Sequence, residues 1–162
     1  MNKLPTIKAK FINEVDMIGF EKIYNWDCLL FTGFQYDDIS DKMIEEALLY
    51  NKFDKIDISK GWEDDDFLEA DTSISDDIKH AIRVAALVMH IRDGGGVNPV
   101  NLDTFTMNVC RSCISDGHHR IRALQYLGYT HFPAYCSGEV KLLKCLIDRR
   151  INKKMRFLAL FA

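Results

Sequence analysis

Apolar positions along this chain recur with two periods, and the change from one to the other marks the elements. Residues 6–12 alternate in part, with Ile7, Ala9 and Phe11 set against Lys8 and Lys10, and predict a short strand. Two apolar, aromatic-rich stretches follow, Met17–Tyr24 and Cys28–Phe34. The turn-like triplet Asn25-Trp26-Asp27 between them predicts a hairpin. From Ile39 to Tyr50 the period becomes helical: Met43, Ile44, Ala47 and Leu48 share a face, with Ser40 as candidate cap. Residues 51–72 carry the acidic run Glu63-Asp64-Asp65-Asp66 and read as a solvated loop that Trp62 and Phe67 tack down.

The second half holds the clearest periodicity. A helix is predicted over Asp76–Ile91, opened by Ser73 or Ser75. Asp76 and Asp77 suit its positive end, and Ile78, Ile82, Ala85 and Met89 form an inward stripe that Ala81, Val84 and Val88 widen. Asp93-Gly94-Gly95-Gly96 stops it, and the triple glycine reads as a loop. Strands are predicted at 98–105, 109–114 and 131–136. A helix at 117–127 has Ile121, Leu124 and Leu127 inward and Gly128 as its left-handed stop. A last helix at 137–151 turns Val140, Leu143, Ile147 and Ile151 inward, and the apolar tail 155–162 is expected to be buried.

Composition narrows the class. Apolar residues make up 48% of 162, enough for a sizeable core. No run approaches ~18 apolar residues, so no membrane span is expected. The opening Met-Asn-Lys-Leu-Pro has no apolar stretch of the signal-peptide kind. Five cysteines without framework spacing fit a reducing cytoplasm. The net charge of −3 hides a segregation: residues 1–80 hold 9 Lys+Arg against 19 Asp+Glu, whereas residues 81–162 hold 12 against 5. All five histidines lie between His80 and His131. A basic second half suits an anionic ligand, and it equally suits attraction between the halves.

Chemistry concentrates in Asp116-Gly117-His118-His119-Arg120, between the strand at 109–114 and the helix that follows. A glycine turn leading into a helix N-terminus offers backbone N–H groups and the positive dipole end to an anion. Arg120 adds a forked, charged donor. Asp116 would hold a metal ion, orient an attacking group, or simply cap the helix, a role Ser115 could also fill. His118 and His119 diverge by about 100° on a helix, so at most one faces a pocket directly, as phosphate donor or general acid–base. Arg122 reads as a solubility residue or a second contact. Cys110-x-x-Cys113 with Cys136 and Cys145 offers four thiols of the zinc-ligand type, but the second pair is nine residues apart, and buried thiols are the expectation.

The five-residue motif resembles the Asp-Gly-His-His-Arg signature of the ParB/sulfiredoxin-like superfamily. Gly117–Ala123 also resembles the Gly-x-x-Arg-x-Arg-Ala pattern of its chromosome-partitioning branch. The similarity covers about residues 97–136. It implies an α/β (α+β) fold: a small mixed sheet flanked by helices, residues 73–162 forming a ParB/sulfiredoxin-like core and residues 1–72 an N-terminal elaboration of hairpin, helix and acidic loop. It further implies ATP or CTP, with Mg²⁺, bound through Gly117, His118, His119 and Arg120, with Asp116, His118 and His119 as the catalytic candidates. Superfamily activities span CTP hydrolysis, ATP-dependent sulfinic acid repair, free-serine phosphorylation and nuclease action.

Two departures narrow that range. Sulfiredoxins carry a reactive Cys where this chain has His118, so sulfinic acid repair is not expected. Only 34 residues follow Gly128, too few for the helix-turn-helix domain and dimerisation tail of partitioning proteins. The expectation is therefore a nucleotide hydrolase, phosphotransferase or nuclease, with nucleic acid or a protein as partner. The alternative is a non-catalytic binding module, such as a phage or mobile-element regulator acting through protein contacts.

Overall fold

The computed structural model describes residues 16–23, 35–49, 56–58, 71–103 and 113–137. Within them the chain forms two compact units, one of strands and one of helices. It passes between them at Val97–Asn98, Gly117–His118 and Tyr129–Thr130.

The strand unit is a four-stranded mixed sheet of β1 (Asp16–Gly19), β2 (Val100–Asp103), β3 (Cys113–Asp116) and β4 (His131–Ser137), in the order β1-β4-β2-β3. β4 runs antiparallel to β1 and parallel to β2, and β3 is antiparallel to β2. Strand alternation builds one apolar face: Ile18 pairs with Phe132, Val100 with Ala134, and Leu102 with both Cys136 and Ile114. All seven side chains are buried. The fold class read from the sequence, a small mixed sheet with helices, is the one observed.

The expected strand Met17–Tyr24 runs only to Gly19, and Phe20–Lys22 form a 3-10 turn instead. Phe20 N–H donates to Thr130 O at 3.4 Å, and its ring packs 5.0 Å from that of Phe132. That aromatic contact takes the chain out of the pleat. The expected partner arm Cys28–Phe34 lies outside the described residues, as do the strand at 6–12, most of the acidic loop, the helix at 137–151 except Ser137, and the tail 155–162.

The helical unit contains α1 (Asp41–Ala47), α2 (Asp76–Arg92) and α3 (His118–Tyr126). Ser40 caps α1 as expected, its Oγ accepting from Met43 N–H at 3.2 Å. Ile44 and Ala47 are buried, but the helix stops short of Tyr50, and Leu49 is 84% exposed. α2 begins and ends within a residue of its predicted bounds. Its inward stripe was read too narrowly in the middle and too long at the ends. Every residue from Ala81 to Val88 is buried, whereas Ile78 and Met89 are exposed. A helix enclosed over two turns needs no single stripe.

Helices α2 and α3 end alike. Gly94 (φ 87°) and Gly128 (φ 78°) turn left-handed. Gly94 N–H donates to Ile91 O and Gly95 N–H to His90 O, while Gly128 N–H donates to Gln125 O and Tyr129 N–H to Leu124 O. Both are Schellman stops. A Cβ on Gly95 would meet the His90 imidazole at 2.1 Å, and that ring bonds Gly96 O at 3.1 Å. The triple glycine is thus a helix terminator, in line with its reading as a loop.

Arg122 overturns its reading as a solubility residue. It is 8% exposed, its Nε donates to Ile39 O, and its Nη2 pairs with the Asp41 carboxylate. It therefore ties α3 to the start of α1. No helix among the described residues is long and apolar enough to cross a membrane.

Arg122→Ala removes a buried charged donor from two acceptors and should cost about 2–3 kcal/mol of stability. Asp41→Ala should cost under about 1 kcal/mol, because the Asp41 side chain is 69% exposed and the Ile39 carbonyl keeps its donor. Chemical denaturation of the two variants measures the difference.

Candidate functional site

Asp116 ends β3. The β2–β3 register shifts between Asn101 and Leu102: Leu102 pairs with Ile114, but Asn101 pairs with Asp116. Ser115 is therefore an extra residue, a β-bulge, and it reverses the face that Asp116 would otherwise share with buried Ile114. Asp116 is exposed. Asn101 Nδ2 lies 3.4 Å from its Oδ2, and the Ser115 hydroxyl donates to Asn101 O at 3.1 Å. The strand expected at 109–114 is present at 113–114 and continues to Asp116, while residues 109–112 lie outside the described residues. Ser115 and Asp116, the two cap candidates, both lie in the strand, with Gly117 between them and the helix.

Gly117 has φ 108°, a backbone conformation that side chains bearing a Cβ rarely adopt. The next residue opens α3, so His118, His119 and Arg120 fill its first turn. All three are half-buried. The His118 ring stacks on Tyr36 with centroids 6.4 Å apart and planes 20° apart, and its Nδ1 is sealed from solvent.

His119 meets a residue that the sequence reading did not single out. Its Nε2 lies 2.8 Å from Nδ1 of His80 on α2, and the two rings stack at 5.0 Å. Burial pushes the His119 pKa well below the usual 6.5, and the charges of His80, Arg83, His118 and Arg120 push the same way. Burial also lowers His80, but Asp76, Asp77 and Asp38 oppose it. Both rings are consequently neutral at pH 7, able to donate or accept one hydrogen bond at each nitrogen. Arg83, 4% exposed, was likewise read only as part of a helix. The signal available for His80 was its place as a polar residue at the start of the most apolar helix, among five clustered histidines.

Among the described residues, no group of three or more His, Cys, Asp or Glu side chains is placed to hold a metal ion. Cys136 is buried beside Asp16, and desolvation first, then that carboxylate, push its thiol up to about 12. It is a protonated core thiol, not a thiolate ligand. Comparison with protein-family models, with curated proteins and with solved structures finds no match to this chain.

The lowered histidines make stability depend on pH. Below 6.5 the unfolded chain binds protons that the folded pair resists, so stability is full above that pH and falls as the solution is acidified. The slope contributed by each ring approaches about 1.4 kcal/mol per pH unit. His119→Gln should flatten the melting temperature's dependence between pH 6.5 and 5, measured against the parent.

Proposed function

We propose that this chain is a ParB/sulfiredoxin-like phosphate-binding protein that takes a nucleotide, ATP or CTP, at the Asp116–Arg120 turn. The observation that carries the reading is Gly117, left-handed at φ 108° and immediately ahead of a nine-residue helix whose first turn is His118-His119-Arg120. The first turn of a helix presents N–H groups and the positive end of the helix dipole, an environment that suits an anion. Arg120 supplies the fixed positive charge. His119, neutral at pH 7, supplies a ring donor.

The hydrolytic or phosphoryl-transfer reading follows from the same residues. Positioning by the backbone cradle and charge stabilisation by Arg120 lower the barrier, and His118 or His119 moves the proton. Asp116, exposed because of the bulge, is the motif's one carboxylate. With Mg²⁺, it would serve as a single protein ligand beside the nucleotide's own phosphate oxygens, which fits the few protein ligands Mg²⁺ commonly takes in nucleotide sites. That ion would neutralise charge on the transferring phosphate. Cleavage of a nucleic-acid phosphodiester uses the same groups on a longer substrate.

Arg120→Ala should weaken nucleotide binding by about tenfold to a hundredfold, since a charge-assisted hydrogen bond contributes roughly 1.5–3 kcal/mol. Arg120→Lys should restore part of it, keeping charge without the planar fork. Calorimetric titration with ATP and CTP, alongside melting curves, measures both. Phosphate release then separates an enzyme from a binding module. Equal binding by Arg120→Ala would move the site elsewhere.

A further inference from the structure

The His80–His119 contact sets two ring nitrogens face to face, 2.8 Å apart, between α2 and the first turn of α3. That distance leaves room for one hydrogen. Whichever ring donates it, one further proton on an outer ring nitrogen keeps the bond and makes it charge-assisted. A bond that the outer nitrogen already accepts raises the cost of that proton, but it does not reverse the effect of a nearby charge. Two further protons would set hydrogen against hydrogen across the contact. The pair therefore holds one added proton with its contact intact, and not two.

Among the described residues, the charges acting on the pair come from three places. Asp76, Asp77 and Arg83 stand on α2, Asp38 ahead of α1, and His118 and Arg120 on α3. Burial first, then His80, Arg83, His118 and Arg120, keep a proton off His119. Burial does the same at His80, against the pull of Asp76, Asp77 and Asp38. Arg120 is the cation to which the phosphate reading assigns the ligand, and it is the chain neighbour of His119. An anion seated there cancels charge that excludes the proton. By reciprocity, a proton on the pair strengthens the hold on the anion by the same factor.

We propose that anion binding at the first turn of α3 is coupled to uptake of one proton by the His80–His119 pair, so that the site binds more tightly as the solution is acidified. This rests on the phosphate reading of the turn. The sign follows from charge: the protein without ligand resists the proton, and the complex accepts it at higher pH.

The test uses the full chain with sulfate as probe, a tetrahedral dianion that does not itself titrate near neutrality. Calorimetric titration should show binding about three- to tenfold tighter at pH 6 than at pH 7, within the limit of about tenfold per pH unit that one proton sets. Titrations in two buffers of different ionisation heat should show protons taken up, not released. Ring ¹H–¹⁵N spectra across the same range, with saturating sulfate and separately with CTP, should show the midpoints of His80 and His119 raised and that of His90, at the far end of α2, unmoved. In His119→Gln the readout is the pH slope rather than the affinity, and the slope should flatten. Melting curves keep the comparison to pH values at which each chain is folded. If an anion binds and the midpoints of His80 and His119 stay where they were, the coupling is absent and the phosphate reading survives. If neither sulfate, pyrophosphate nor any nucleotide binds the parent, the phosphate reading fails and takes the coupling with it.

Discussion

Everything in the helical unit is placed relative to α2, because α2 is buried on all sides over its middle two turns. Eight consecutive buried residues, Ala81–Val88, give no freedom to rotate the helix without exposing apolar surface, at roughly 25 cal/mol per Å². The small side chains Ala81, Ala85 and Ala86 let neighbours approach closely, and Ala123 of α3 joins the same core cluster. Once α2 is fixed, its ends are fixed. His80 near its start and Arg83 in its middle are carried to the first turn of α3, and the far end is closed by Gly94 and Gly95. Arg122 then secures α3 to α1. The chemistry of His119 is thus a consequence of core packing one turn away.

The same packing explains the electrical arrangement. The sequence is acidic up to His80 and basic after it, and the two characters meet at the histidine pair. His80 feels Asp38, Asp76 and Asp77, all from the acidic half, while His119 feels Arg83 and Arg120 from the basic half. Charge segregation that a whole-chain balance of −3 conceals becomes a local field across 2.8 Å. For a phosphate ligand, that field keeps the positive side at the first turn of α3.

Much of this was legible in the sequence, and what was not has a common cause. Ser40, the stops at Gly94 and Gly128, helix α2 and strand β4 are local features: caps, glycines and periodicity act within a few residues, and each stands where the pattern put it. The glycine turn at Gly117 and the helix after it were legible for the same reason. The bulge at Ser115 was not, because it exists only as a mismatch of register with β2. Neither was the burial of Arg122, whose partners Ile39 and Asp41 lie 83 and 81 residues away. Nor was the pairing of His80 with His119. The shortened β1 has the same origin, since Phe20 leaves the strand to reach Phe132. Local rules place elements; contacts distant in sequence decide which face each chemical group presents.

The central claim is that an anion binds at the start of α3. The most direct measurement is backbone amide shift mapping of the ¹⁵N-labelled chain, titrated in turn with CTP, ATP and inorganic phosphate. The account predicts that the largest shifts fall on the N–H groups of Gly117, His118, His119 and Arg120, saturating together with one affinity. Shifts centred instead on the cavity of about 390 Å³ between Arg92 and Tyr129, at the opposite ends of α2 and α3, would contradict it, as would no shift with any of the three.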